Sequence, residues 1–181
     1  MPDFLIYEQD GPLVTLTMNQ PEQRNPLTGN TAIPEFLEAI ERIHTDRSVR
    51  CVILTGSGRA FCAGLDLREA KAGGTSGIAN DNSTRTTLDL RNTPPTVLQA
   101  MDKPTICAVN GGAAGYGMDT ALGCDIRIMG QSAKLAAAFV KRGVVPESGG
   151  TWFLPRMIGW AKAACTRRCR MRRRRIWCPW C

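Results

Sequence analysis

Residues 110–119 read N-G-G-A-A-G-Y-G-M-D, a stretch able to do chemistry with backbone groups alone. Gly115 and Gly117 bracket Tyr116, so the chain can come close to a ligand there and turn its amides toward it. A helix opening near Gly115–Met118 would aim first-turn N–H groups and the positive end of its dipole at the same place. Such a site suits an anion, or an oxygen that becomes one during a reaction. About fifty residues earlier, Ala63–Gly64–Leu65–Asp66–Leu67 forms a second small-residue turn that presents the Leu65 amide. Together the Leu65 and Tyr116 amides could form a two-donor oxyanion hole. Two acids stand near these turns as proton carriers. Asp119 lies one turn into the expected helix, and Glu147 lies between Pro146 and Ser148–Gly149–Gly150. Each also has a structural alternative, Asp119 as a dipole-compensating acid and Glu147 as a first-turn cap. His44, the single histidine, falls at a helix end, and no Ser–His–Asp machinery forms around it. Gly56–Ser57–Gly58 lacks the Gly-Lys-Ser/Thr of a phosphate loop, which argues against nucleotide binding there.

The surrounding pattern supplies the elements that must hold these turns. Phe4–Glu8 and Leu13–Met18 flank Asp10–Gly11–Pro12 as a hairpin at the sheet edge. Ile33, Phe36, Leu37, Ile40 and Ile43 recur at three and four, predicting a helix over 32–44. Val49–Thr55, Thr105–Val109 and Ile126–Met129 read as strands, and Thr84–Met101 as a helix interrupted at Pro94–Pro95. A short helix is expected after Leu65, and another from the Gly149–Gly150 pair to about Trp160. Residues 72–83 are glycine- and polar-rich, as a surface loop or a lid would be. The alternation of strand, turn and helix predicts an α/β fold with ligands at the carboxyl ends of the strands.

The chain has 181 residues, 43% of them apolar, and a formal net charge of +7. That charge belongs to one segment. Residues 166–181 hold seven arginines and no acid, leaving 16 basic against 16 acidic residues before them. A neutral body argues against a nucleic-acid partner for the body itself. Cys51, Cys62, Cys107 and Cys124 sit in apolar settings, as reduced core cysteines do. With no apolar run of membrane length and no secretory layout at the N-terminus, the expectation is a cytoplasmic protein without membrane contact.

Five ordered blocks then carry a resemblance: N-Q-P-E-Q-R-N-P-L at 19–27, C-V-I-L-T-G-S-G-R-A-F-C-A-G-L-D-L at 51–67, K-P-T-I-C-A-V-N-G-G-A-A-G-Y-G at 103–117, C-D-I-R-I at 124–128, and R-G-V-V-P-E-S-G-G-T-W-F-L-P-R at 142–156. They resemble the crotonase, or enoyl-CoA hydratase/isomerase, superfamily. The resemblance implies a spiral of repeated ββα units acting on acyl-CoA thioesters, with coenzyme A part of the substrate and neither metal nor separate cofactor. It implies homotrimers or hexamers for the family. It also assigns the oxyanion amides to Leu65 and Tyr116, and CoA contacts to Arg24 and to the backbone around Asn25, Leu27 and Ala63. Typical hydratases hold water between two glutamates. Here the first position is Asp119 and the second falls on Phe139, which moves no proton. The P-E-S-G-G arrangement is similar to members, including isomerases, whose catalytic glutamate follows that proline. Glu147 is therefore expected as the principal acid/base, with Asp119 assisting or binding water, and Asp66 and Asp125 as structural acids.

The resemblance covers a core expected over residues 1–164. Residues 165–181 read C-T-R-R-C-R-M-R-R-R-R-I-W-C-P-W-C, without the helices that the family uses to complete its pocket and trimer. The expectation is a truncated or frameshifted C-terminus with apolar faces left uncovered. An inactive crotonase fragment is the rival reading. Others are a polyanion-binding protein acting through the arginines, and a zinc site on Cys165, Cys169, Cys178 and Cys181.

Overall fold

The structure is a computed structural model that describes residues 4–27, 29–66, 93–139, 146 and 148–168. Its first two strands, β1 (Leu5–Asp10) and β2 (Leu13–Met18), pair antiparallel across a tight turn at Gly11, which adopts φ +54°. Helix α1 (Gly29–Thr45) follows, then β3 (Cys51–Gly56) and β4 (Ala60–Cys62), then α2 (Pro94–Gln99). The sequence continues through β5 (Thr105–Val109), β6 (Gly112–Ala114) and α3 (Tyr116–Gly123). It ends with β7 (Ile126–Met129), β8 (Lys134–Ala136), α4 (Gly150–Ile158) and α5 (Trp160–Arg168).

From β3 onward, successive strands alternate between two sheets, while β1 and β2 share the first. One sheet has the order β1-β2-β3-β5-β7, and the other β4-β6-β8; every pairing except that of β1 with β2 is parallel. The first turn puts both its strands in the large sheet, and each later one lays one strand in the large sheet and one in the small sheet before the next helix. That is the repeated ββα spiral that the resemblance implies.

Burial drives each unit. In β2 and β3 alternate residues Val14, Leu16, Met18, Val52 and Leu54 are buried and their neighbours are not, the period of a sheet covered on one face. The face of α1 that packs onto it carries Phe36, Ile40 and Ile43. A second apolar cluster, Met118, Leu122, Ala137, Phe139, Phe153, Leu154 and Ala163, holds α4 and α5 against α3.

Several boundaries differ from the sequence reading. Helix α1 starts at Gly29 instead of near 32. Pro94–Pro95 opens α2 instead of interrupting a helix, with Thr93 and Thr96 forming a reciprocal cap. A proline in the first turn gives up an N–H that has no helical acceptor anyway. The chain does not pass directly from β5 into the glycine turn, because Gly112–Ala114 first joins the small sheet as β6. The expected last helix ends at Ile158, close to the expected Trp160, where Gly159 at φ +81° stops it, and a further helix, α5, follows that the sequence reading did not include. The expected helix after Leu65, the loop at 72–83 and most of the 84–101 helix lie outside the described residues. So does the tail from residue 169. Among the described residues no helix is long and apolar enough to cross a membrane.

Candidate oxyanion site

The site is built from three backbone segments that lock together. Arg24 and Asn25 both take left-handed backbone, with φ +65° and +54°. The turn they make lets the Arg24 carbonyl accept from Ala63 N–H at 2.8 Å, while Leu27 N–H donates to Gly64 O at 3.0 Å. Pro26 bridges to Gly64 in parallel. Arg24, Asn25, Leu27 and Ala63 therefore form one strip beside the Leu65 turn, with Arg24 and Ala63 exposed and Asn25 and Leu27 buried.

The Asn25 side chain is wholly committed to the protein. Its Oδ1 accepts from Gln20 N–H at 2.8 Å, and its Nδ2 donates to Ser57 O, Ala60 O and Phe61 O at 3.0, 3.0 and 3.2 Å. Any ligand contact at Asn25 therefore falls to its backbone. Asn110 braces the same loop from the other side, donating to Gly58 O at 2.9 Å and accepting from Gly56 N–H at 3.3 Å.

The two glycine turns then meet. Gly64 sits at φ +88°, and a Cβ built there would stand 2.5 Å from Ala114 O and 3.3 Å from Tyr116 N. Only a glycine allows so close an approach of the Leu65 turn to the start of α3. Tyr116 is the first residue of α3, after Gly115 at φ +52°, so its N–H lies outside the helix's own hydrogen-bond ladder. Gly115 N–H is tied to Ala136 O at 2.9 Å, which fixes the turn to the small sheet. Beneath it, Gly117 lies on Cys62, where a Cβ would come within 2.7 Å of the sulfur. Burial pushes the Cys62 thiol up to about 12, against the smaller opposing pull of the Gly64 N–H. At neutral pH it is a protonated packing group, not a nucleophile.

Asp119, one turn further along α3, is fully buried. Its carboxyl lies beside Gly150 at the start of α4. Phe139 is also buried, and its ring edge stands 3.9 Å from where a Gly115 Cβ would be. The expected acid Glu147 lies outside the described residues; of its neighbours, Pro146 is half-buried and Ser148 buried. The structure thus brings Leu65, Tyr116, Asp119 and Phe139 into one region and sets the Arg24–Leu27 strip beside it.

The other chemistry-bearing residues have structural work. Asp125 Oδ2 accepts from both the amide and the hydroxyl of Thr105 at 2.8 Å, as expected of a structural acid. His44 Nδ1 lies 3.3 Å from Asp102 Oδ1, and both side chains are largely exposed, a weak pair. The end of α1 is capped instead by Lys103, whose ammonium donates to the carbonyls of Ile43, His44 and Asp46. Nothing in the sequence period pointed to that lysine. Among the described residues no three His, Cys, Asp or Glu side chains cluster as a metal site would need.

Comparison with known proteins places this arrangement. The family model described as enoyl-CoA hydratase/isomerase matches residues 8–169. The 1,2-epoxyphenylacetyl-CoA isomerase of Escherichia coli K12 is 41% identical over 163 residues, covering 90% of this chain and 61% of that protein. A Rhodobacter capsulatus protein named "Probable enoyl-CoA hydratase" is 40% identical over 161 residues, covering 87% of this chain and 58% of its own length. The crystal structure of an enoyl-CoA hydratase from Bacillus anthracis superposes with a TM-score of 0.79 at 31% identity, over 91% of this chain and 62% of the other. The chain thus spans about 60% of the length of these relatives. With the ββα spiral and the paired glycine turns, the match over residues 8–169 means that this chain belongs to the enoyl-CoA hydratase/isomerase family.

Proposed function

We propose that this chain binds an enoyl-CoA thioester with its carbonyl oxygen between the Leu65 and Tyr116 amides, and that residues 1–164 are its acyl-CoA-binding core. The observation that carries the reading is the contact of Gly64 with Ala114 and Tyr116, which sets two amide-bearing turns side by side. Removing a proton from the α- or γ-carbon of the thioester, or adding water at the β-carbon, puts negative charge on that oxygen. Donors already in place stabilise this charge without reorganising, each by ~3–4 kcal/mol.

In this reading Glu147 moves the proton and Asp119 assists it or holds water. The role of Glu147 rests on its place after Pro146 in P-E-S-G-G. Shifting the double bond is favoured over hydration. Phe139 puts an apolar ring near the Gly115–Tyr116 turn, where a second acid would be wanted to hold water. The CoA moiety runs along the Arg24–Leu27 strip and Ala63, and no further cofactor takes part.

The test is steady-state turnover of 2-enoyl- and 3-enoyl-CoA by the parent chain and by Glu147→Gln. Expected is a loss of kcat of about 10²- to 10⁴-fold with KM within a few-fold, the range of a positioned general acid/base. Unchanged turnover on both substrates removes Glu147 from the mechanism. A parent chain that turns over neither substrate favours the inactive-fragment reading.

A further inference from the structure

The carboxyl of Asp119 and the backbone of Gly150 come from different helices and share one space. A Cβ on Gly150 would lie on Asp119 Oδ1, 2.5 Å from Cγ and 2.8 Å from Oδ2. Gly150 is the first residue of α4, Asp119 belongs to the first turn of α3, and both residues are buried. The glycine before it has a separate reason. Gly149 holds φ +85°, and a Cβ there would stand 2.8 Å from the Phe153 ring. The backbone angle therefore explains Gly149, and the carboxyl explains Gly150.

We propose that Gly150 is a positioning residue for Asp119: the missing Cβ is the room in which the carboxyl lies, and it sets where that group stands relative to the Tyr116 amide. Asp119 follows Tyr116 by three residues on one rigid helix, so its Cα is fixed against the oxyanion turn. What remains free is the direction of its short side chain. The first turn of α4 limits that direction, and a methyl group at 150 drives the carboxyl out of its place. This inference rests on the reading of Asp119 as part of the proton-handling site.

A double-mutant cycle on the full chain tests it, with Gly150→Ala, Asp119→Ala and the pair read both by thermal unfolding and by enoyl-CoA kinetics. Gly150→Ala alone is expected to lower kcat by about 10²-fold with KM within a few-fold, the scale of a displacement near 1 Å in a reacting group. It is also expected to lower Tm by several degrees. In the Asp119→Ala background the space is already empty, so the same substitution should change neither quantity further. Equal Tm losses in both backgrounds overturn the proposal, as does a Gly150→Ala chain with parental kcat. If Asp119→Ala turns over at the parental rate, the reading of Asp119 falls and takes this role with it. Additive Tm losses overturn the role of Gly150 alone.

Discussion

Replacing Gly64 with alanine is expected to reduce enoyl-CoA turnover by about 10²- to 10³-fold, the effect of losing one oxyanion donor. The substitution fails twice at this position. Alanine at φ +88° is strained, at a cost of ~1–3 kcal/mol. Its Cβ would also press on Ala114 O and Tyr116 N, so relief requires the two turns to separate. Neither contact atom is the tip of a flexible side chain; both are backbone, held by the small sheet and by α3. In the proposed function, the Leu65 and Tyr116 amides would then no longer meet on the thioester oxygen. Gly11→Ala is the matched control, because Gly11 also has positive φ, at +54°, but nothing lies within 4 Å of its Cβ position. It carries the strain without the collision, so its stability should drop while kcat and KM stay at parental values. If Gly64→Ala loses no more kcat than Gly11→Ala, the convergence of the two turns has no part in catalysis.

The parts of the fold that one period or one local signal specifies were legible before the structure. β2 alternates buried and open residues, the buried face of α1 repeats at three and four, and Gly11 marks the hairpin. Both glycine turns stand out in the sequence because a close approach of backbone to backbone needs small residues, and Gly64 does lie against Ala114 and Tyr116. What escaped the sequence depends on partners distant along the chain. β6 is only Gly112–Ala114, with neither length nor β-branched side chains, and it is a strand because β4 and β8 flank it. Pro94–Pro95 looks like a break until Thr93 is seen to cap a new helix. The pairing of Asp119 with Gly150 joins residues 31 apart that no shared motif links. Asn25 carried a binding role by resemblance, while the fourfold bonding of its side chain becomes visible only once the 57–61 carbonyls close around it.

That bonding makes Asn25 the residue whose loss should be most costly to the fold. Asn25→Ala removes one acceptor and the donor shared by three carbonyls in a position with no solvent exposure. Each buried group left without a partner costs ~1–3 kcal/mol. Alanine also tolerates the φ of +54° less well than asparagine does. The total should reach ~3–5 kcal/mol, at the severe end for one substitution. Asn25→Asp separates hydrogen bonding from shape. It keeps the size, the left-handed tolerance and the acceptor for Gln20 N–H, but it points a carboxylate oxygen at Ser57 O, Ala60 O and Phe61 O. Donor becomes acceptor, and attraction becomes repulsion in a buried place. Urea unfolding should therefore find Asn25→Asp at least as destabilised as Asn25→Ala. The damage should appear first in the Arg24–Leu27 strip and the 56–64 segment, as early amide exchange at Leu27 and Ala63. An Asn25→Asp chain as stable as the parent would mean that these four hydrogen bonds do not hold the strip, and that packing around Leu27 and Phe61 alone keeps it beside the oxyanion turn.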